Sequence, residues 1–152
     1  MNKKFMQKAL EIASLSGNDM PIGAVIVKNN GIIAYAHNQK EKNNDVSAHA
    51  EILAIKEASK KLGNWRLKDC DLYVTLEPCP MCLWAIIQSR MSNVYFGSYD
   101  MFLGGFSNFP QMLEITGSKL KHKGGIMEEE CNAILNNYLK KIRDVSDVDN
   151  QR

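Results

Sequence analysis

The stretch "DLYVTLEPCPMC", Asp71 to Cys82, decides both the fold and the chemistry. Its first six residues, rich in apolar, aromatic and β-branched side chains, read as a strand over 71–76. Two prolines and two cysteines follow at once. Proline suits a first helical turn, so Pro78 or Pro80 opens a helix that reaches about Ser89. Cys79 and Cys82 then face the same side of that turn. Three readings are open: a redox pair, part of a structural zinc knuckle, or part of a catalytic metal site.

On either side the sequence alternates helices and strands. Lys4 to Ser16 carries Phe5, Ala9, Ile12, Ala13 and Leu15 near helical spacing, and "GND" at 17–19 ends that helix. "PIGAVIVKNNGIIAYAHN" predicts a hairpin, with Ile22–Val27 and Ile32–Ala36 flanking the turn "KNNG". Apolar residues occupy both alternating sets, so both faces of the sheet are covered. "QKEKNND" reads as a polar loop. A helix follows from about Ala48 to Leu62, with Ser47 as its cap and Gly63 as its stop. Downstream, "NVYFG" over 93–97 is a strand, and 98–113 is a loop with short helical pieces. "KLKHK" is a fifth short strand. Met127 to Arg143 is a helix with Cys131, Ile134, Leu135, Tyr138 and Ile142 as its apolar stripe, and 144–152 is a polar, frayed tail. This order predicts an α/β chain with one domain over 1–143, a three-layer α/β/α sandwich around a mixed five-stranded sheet.

Composition agrees with that expectation. The 152 residues suffice for one buried core, and 45% hydrophobic with 24% charged residues is ordinary for a soluble globular protein. No apolar run approaches the ~18 residues of a membrane span. The N-terminus has lysines but no long apolar segment, so a signal peptide is not expected and a cytoplasmic location is the default. A net charge of +2 permits an acidic partner without demanding one; dedicated nucleic-acid binders are usually more basic. Of the four cysteines, Cys70 and Cys131 read as small buried hydrophobes. Without a signal peptide, the close pair Cys79 and Cys82 points to a metal or to catalysis.

The three readings of that pair predict different residues elsewhere. A redox pair usually follows the first strand of a thioredoxin-like unit, but here a helix, a hairpin and another helix come first. A structural zinc needs four closed ligands. Cys70 is the nearest third sulfur, yet a strand of about six residues at ~3.3 Å each holds it ~20 Å away. A catalytic zinc needs three ligands and an open position. "SAHAEI" supplies His49, with Glu51 two residues on. H-x-E paired with P-C-x-x-C is the signature of zinc deaminases. Both halves sit at helix N-termini, whose positive dipole ends stabilise thiolates and a metal-bound hydroxide. Two thiolates and a neutral imidazole bring Zn2+ to formal neutrality. Such a metal lowers bound-water pKa from about 15.7 toward 7. Glu51 then reads as the proton shuttle, from the zinc water to a ring nitrogen and later to the leaving amine.

"PIGAVIV", "AHAEI", "LYVTLEPCPMC", "SRMSNVYFG" and "GIMEEECNAILNNYLKKIR" together resemble the bacterial tRNA-specific adenosine deaminase family, within the cytidine-deaminase-like zinc superfamily. The similarity covers roughly Phe5 to Arg143. It implies a cytidine deaminase-like fold and deamination of adenosine to inosine at the wobble position of a tRNA, with zinc-hydroxide attack on adenine C6 and release of ammonia. By position, His49, Cys79 and Cys82 match the family's zinc ligands and Glu51 its shuttle. Asn38 matches a residue that hydrogen-bonds the target base. Ala50 offers a backbone group to that base, and Asp100 matches an acidic residue near the target ribose. A homodimer bound to the tRNA anticodon stem-loop is implied, with no DNA partner and no membrane. Lys140, Lys141 and Arg143 beside Tyr138 suit phosphate contact and stacking in the same RNA. One departure stands out: where the family has a lysine and a loop of small residues, this chain has "MFLGGFSN", with Phe102 in place of the lysine and Phe106 among the small residues.

The alternative is a deaminase of a free base, guanine or cytosine, since guanine deaminases share "EPCPMC". A binding-only subunit that keeps zinc but has lost the glutamate is a third class. The presence of Glu51 argues against it.

Overall fold

The computed structural model describes residues 1–150, with side chains through residue 145. The chain begins with α1 (Lys3–Ala13), then strands β1 (Gly23–Lys28) and β2 (Gly31–His37). Asn29 and Asn30 have φ of 51° and 61°. That is the left-handed pair a type I′ hairpin turn requires, and asparagine tolerates it. A short helix α2 (Lys40–Asn43) follows where the sequence predicts only a polar loop. Its cause is remote: the buried Asp19 carboxylate accepts the Glu41 and Lys42 amide protons at 2.8 and 3.2 Å and caps the turn.

Helix α3 (Ala50–Leu62) is closed by Gly63 at φ 64°, as predicted. Its start differs. His49, not Ser47, is the N-cap residue, because the Ser47 hydroxyl is engaged by Asp45 at 2.7 Å. Strand β3 (Cys70–Leu76) leads into α4 (Pro80–Gln88), with Cys79 at the N-cap and Pro80 as the first helical residue. Then come β4 (Asn93–Ser98), the short helices α5 (Gly105–Asn108) and α6 (Gln111–Thr116), β5 (Lys121–Lys123) and α7 (Glu128–Asn150). Helix α7 continues past Arg143, where its apolar stripe weakens; Ile142, assigned to that stripe, is 45% exposed.

The sheet order is β2-β1-β3-β4-β5. β1 pairs antiparallel with β2 and β3, while β3–β4 and β4–β5 are parallel. Side chains alternate along β1: Ala24 and Ile26 join one buried cluster, Val25 and Val27 the other. The first cluster packs α3 and α4 on one face; the second packs α1 and α7 on the other. This is the three-layer sandwich around a mixed sheet. Phe106 is the chief surprise in the unusual loop. It is buried, stacked on Phe96 at 5.8 Å and on His122 at 4.0 Å between ring centroids, whereas Phe102 is 91% exposed.

Candidate active site

The site forms where the C-terminal ends of β2, β3 and β4 meet the N-termini of α3 and α4. Strand β3 ends at Leu76, and the Pro78–Cys79 segment turns directly into α4. Pro80, the first helical residue, has no amide proton to leave orphaned in that first turn, so the turn tolerates it. Cys79 at the N-cap and Cys82 in the first turn therefore project to one side. Across from them, His49 holds the N-cap of α3. Its Nδ1 lies 3.6 Å from Cys79 Sγ and 3.3 Å from Cys82 Sγ. All three donor atoms lie within 4.8 Å of one another.

These spacings test the donor set against zinc. Zn–S near 2.3 Å and Zn–N near 2.05 Å at tetrahedral angles put N and S about 3.5 Å apart. The observed separations bracket that value. The protonation pattern fits as well. Cys79 is held down to about 4, first by the hydrogen bond from Cys82 and also by His49. Cys82 is pushed far up by its bond to Cys79 and by burial. His49 is raised, first by its bond to Cys79. The three groups share protons that a divalent cation displaces when it binds thiolates and neutral imidazole. The site fits Zn2+. Cys70, at the far end of β3, is buried and belongs to the hydrophobic core, and Cys131, in the first turn of α7, is buried in the second core cluster.

Glu51 is 4% exposed and lies in the first turn of α3. Burial pushes its carboxyl up to about 7. A carboxyl near neutrality can both take and return a proton at working pH, as a general acid–base group must. Asn38, just past β2, is 7% exposed, and its Oδ1 accepts the Ala50 amide proton at 2.8 Å. Of the backbone groups of Ala50, the N–H is thus already engaged by Asn38.

A cavity of about 280 Å³ opens above this cluster. Its lining includes His49, Cys79, Glu51, Asn38, Asp100 and Tyr138. Of the residues singled out in the sequence, these six converge there. Asp100 has one carboxylate oxygen committed: Oδ1 accepts the Phe102 and Leu103 amide protons at 3.1 and 3.0 Å. Lys140, Lys141 and Arg143 are exposed further along α7 and lie outside the cavity lining. Sequence reasoning missed Asp19, Leu103 and Glu77, which also line the cavity. Glu77 stands inside the quoted motif, but nothing in its local spacing marks it.

Fold and site together define a zinc-dependent deaminase, a hydrolase. Residues 1–98 match the cytidine and deoxycytidylate deaminase zinc-binding region. The chain belongs to that family. It is 41% identical over 145 residues to a tRNA-specific adenosine deaminase of Bacillus subtilis (strain 168), covering 91% of this chain and 89% of that one. A solved structure from studies of A-to-I editing by tRNA:A34 deaminases at the wobble position matches with a TM-score of 0.84 and 38% identity. That match covers 88% of this chain and 100% of the other. A guanine deaminase from Bacillus subtilis matches with a TM-score of 0.63 and 44% identity, covering 65% of this chain and 66% of that one.

Proposed function

We propose that this protein deaminates adenosine to inosine at the wobble position of a tRNA, with water consumed and ammonia released. The observation that carries this reading is identity sustained over nearly the whole chain: 38% over 88% of it with the tRNA:A34 deaminase structure, and 41% over 91% of it with the tRNA-specific adenosine deaminase of Bacillus subtilis.

His49, Cys79 and Cys82 would hold the zinc ion, which when bound lowers the pKa of water toward 7 and supplies the hydrolytic nucleophile for adenine C6. Glu51 would accept one proton of the attacking water and pass it to a ring nitrogen of the base; it would then take the remaining proton of the new C6 hydroxyl and deliver it to the departing amine, which leaves as ammonia. Its raised pKa matches both halves of that task. Asn38 keeps its side-chain NH2 group for the base, because its oxygen is occupied by Ala50. The cavity, about 280 Å³, is of a size for one extruded base, so the target nucleotide must leave its stack to enter. A partly unstacked anticodon loop yields such a base at lower cost than a duplex does.

On this reading Asp100 lies on the ribose side of the base, and Tyr138 with Lys140, Lys141 and Arg143 meets the anticodon stem-loop. The enzyme acts in the cytoplasm as a homodimer. The half-exposed Met81 and Trp84 on the outer side of α4 support a partner there. No helix among the described residues is long and apolar enough to cross a membrane. A second reading, deamination of free guanine, draws on the 44% identity to the guanine deaminase.

Sequencing total tRNA from cells lacking this protein tests the proposal. Loss of inosine from the wobble position is the expected result. An unchanged inosine signal removes the tRNA assignment and leaves the deaminase chemistry.

A further inference from the structure

We infer that Glu77 is a positioning residue that sets the wall of the substrate cavity, and through it substrate affinity. Glu77 is 2% exposed and no cation pairs with it; among the described residues the one ion pair is Lys8–Glu11. All its identified side-chain partners lie in the segment after β4. Oε1 accepts the Asp100 amide proton at 3.2 Å and the Ser107 hydroxyl proton at 2.7 Å; Oε2 accepts the Ser107 amide proton at 2.8 Å. The backbone adds two ties, from the Glu77 amide to the Ser98 carbonyl at 2.8 Å and from the Gly105 amide to the Pro78 carbonyl at 2.7 Å.

Packing explains why the loop fits nowhere else. A Cβ on Gly104 would collide with the Glu77 carboxylate and the Asp100 carbonyl, so residue 104 must be glycine for the carboxylate to reach its donors. The bonds then continue as a relay. Glu77 fixes the Asp100 backbone, and the Asp100 carboxylate fixes the turn to Leu103 through two amide bonds. Asp100 and Leu103 both line the cavity above the metal ligands. The strand that delivers Cys79 thus also anchors the opposite wall, and it does so through Glu77.

This inference rests on the deaminase reading of the site, but not on which base is the substrate. The test compares zinc-loaded wild type with Glu77→Gln and with the milder Ser107→Ala. Each is assayed on an anticodon stem-loop with adenosine at the wobble position and on free guanine, and amide hydrogen exchange is followed over 98–108. The turnover of wild type decides the substrate. On whichever substrate it accepts, Glu77→Gln is expected to raise KM about tenfold or more, with kcat within about threefold and zinc content unchanged. Exchange over 98–108 should rise by at least tenfold. Ser107→Ala should shift both in the same direction by less. Unchanged exchange in Glu77→Gln overturns the inference whatever the substrate. A fall in kcat at constant KM, or loss of zinc, also overturns it, because Glu77 would then serve the metal centre and not the cavity wall.

Discussion

Asn38 and Ala50 are joined by a buried hydrogen bond, 2.8 Å from the Ala50 amide to the Asn38 side-chain oxygen. Ala50 lies between His49 and Glu51, so this one bond holds the candidate metal ligand and the proposed acid–base group against the end of β2. Asn38→Ala leaves a buried amide without an acceptor, at a cost of about 1–3 kcal/mol. For a chain of this size, thermal unfolding should fall by about 2–12 °C. Asn38→Asp keeps the acceptor but removes the NH2 donor offered to the base. Its melting temperature should stay close to wild type while kcat/KM drops at least tenfold. Calorimetry and steady-state kinetics on both variants separate the two roles.

Glu51→Gln retains shape and hydrogen bonding but cannot carry a proton. Deamination should fall by about 10²–10⁴-fold or more, the range that general acid–base catalysis supplies. Zinc content and RNA affinity should stay unchanged. Substantial residual activity would mean that another group moves the proton.

Zinc retention should depend on pH in a definite direction. The metal needs thiolates at Cys79 and Cys82 and a neutral His49, so protons compete with it. His49 is raised and Cys82 is raised, so binding to these groups releases protons near and above neutrality. Lowering the pH should weaken zinc affinity, and raising it should strengthen affinity. His49→Ala should leave purified protein with little zinc by elemental analysis, and a chelator should abolish activity that added zinc restores.

Two phenylalanines of the same loop should behave in opposite ways. Phe106→Ala removes a buried ring from between Phe96 and His122 and should cost about 3–5 kcal/mol of stability. Phe102 is 91% exposed, and its alanine variant should change stability by less than about 0.5 kcal/mol. Urea titration of the two variants checks the contrast.

The sequence made visible what depends on neighbours along the chain. Two short apolar runs gave β1 and β2, and the "KNNG" between them gave their turn. Apolar stripes gave α1, α3 and α7. His49, Glu51, Cys79 and Cys82 were legible because H-x-E and P-C-x-x-C each place their side chains within a single helical turn. What stayed hidden depends on contacts between distant segments. Helix α2 exists because Asp19 caps it from across a hairpin, and His49 became the N-cap because Asp45 engages the Ser47 hydroxyl. The part played by Glu77 rests on donors at Asp100 and Ser107, beyond α4 and β4. The commitment of the Asp100 carboxylate to its own turn could not be read from a single aspartate after a strand.

Ammonia release shows whether the cavity over His49, Cys79 and Cys82 takes the wobble adenosine of a tRNA. Zinc-loaded protein is given an anticodon stem-loop bearing adenosine at the wobble position and, separately, free guanine. Stoichiometric ammonia and inosine from the stem-loop, with little turnover of guanine, are expected. Turnover of guanine with none of the stem-loop would contradict the tRNA assignment.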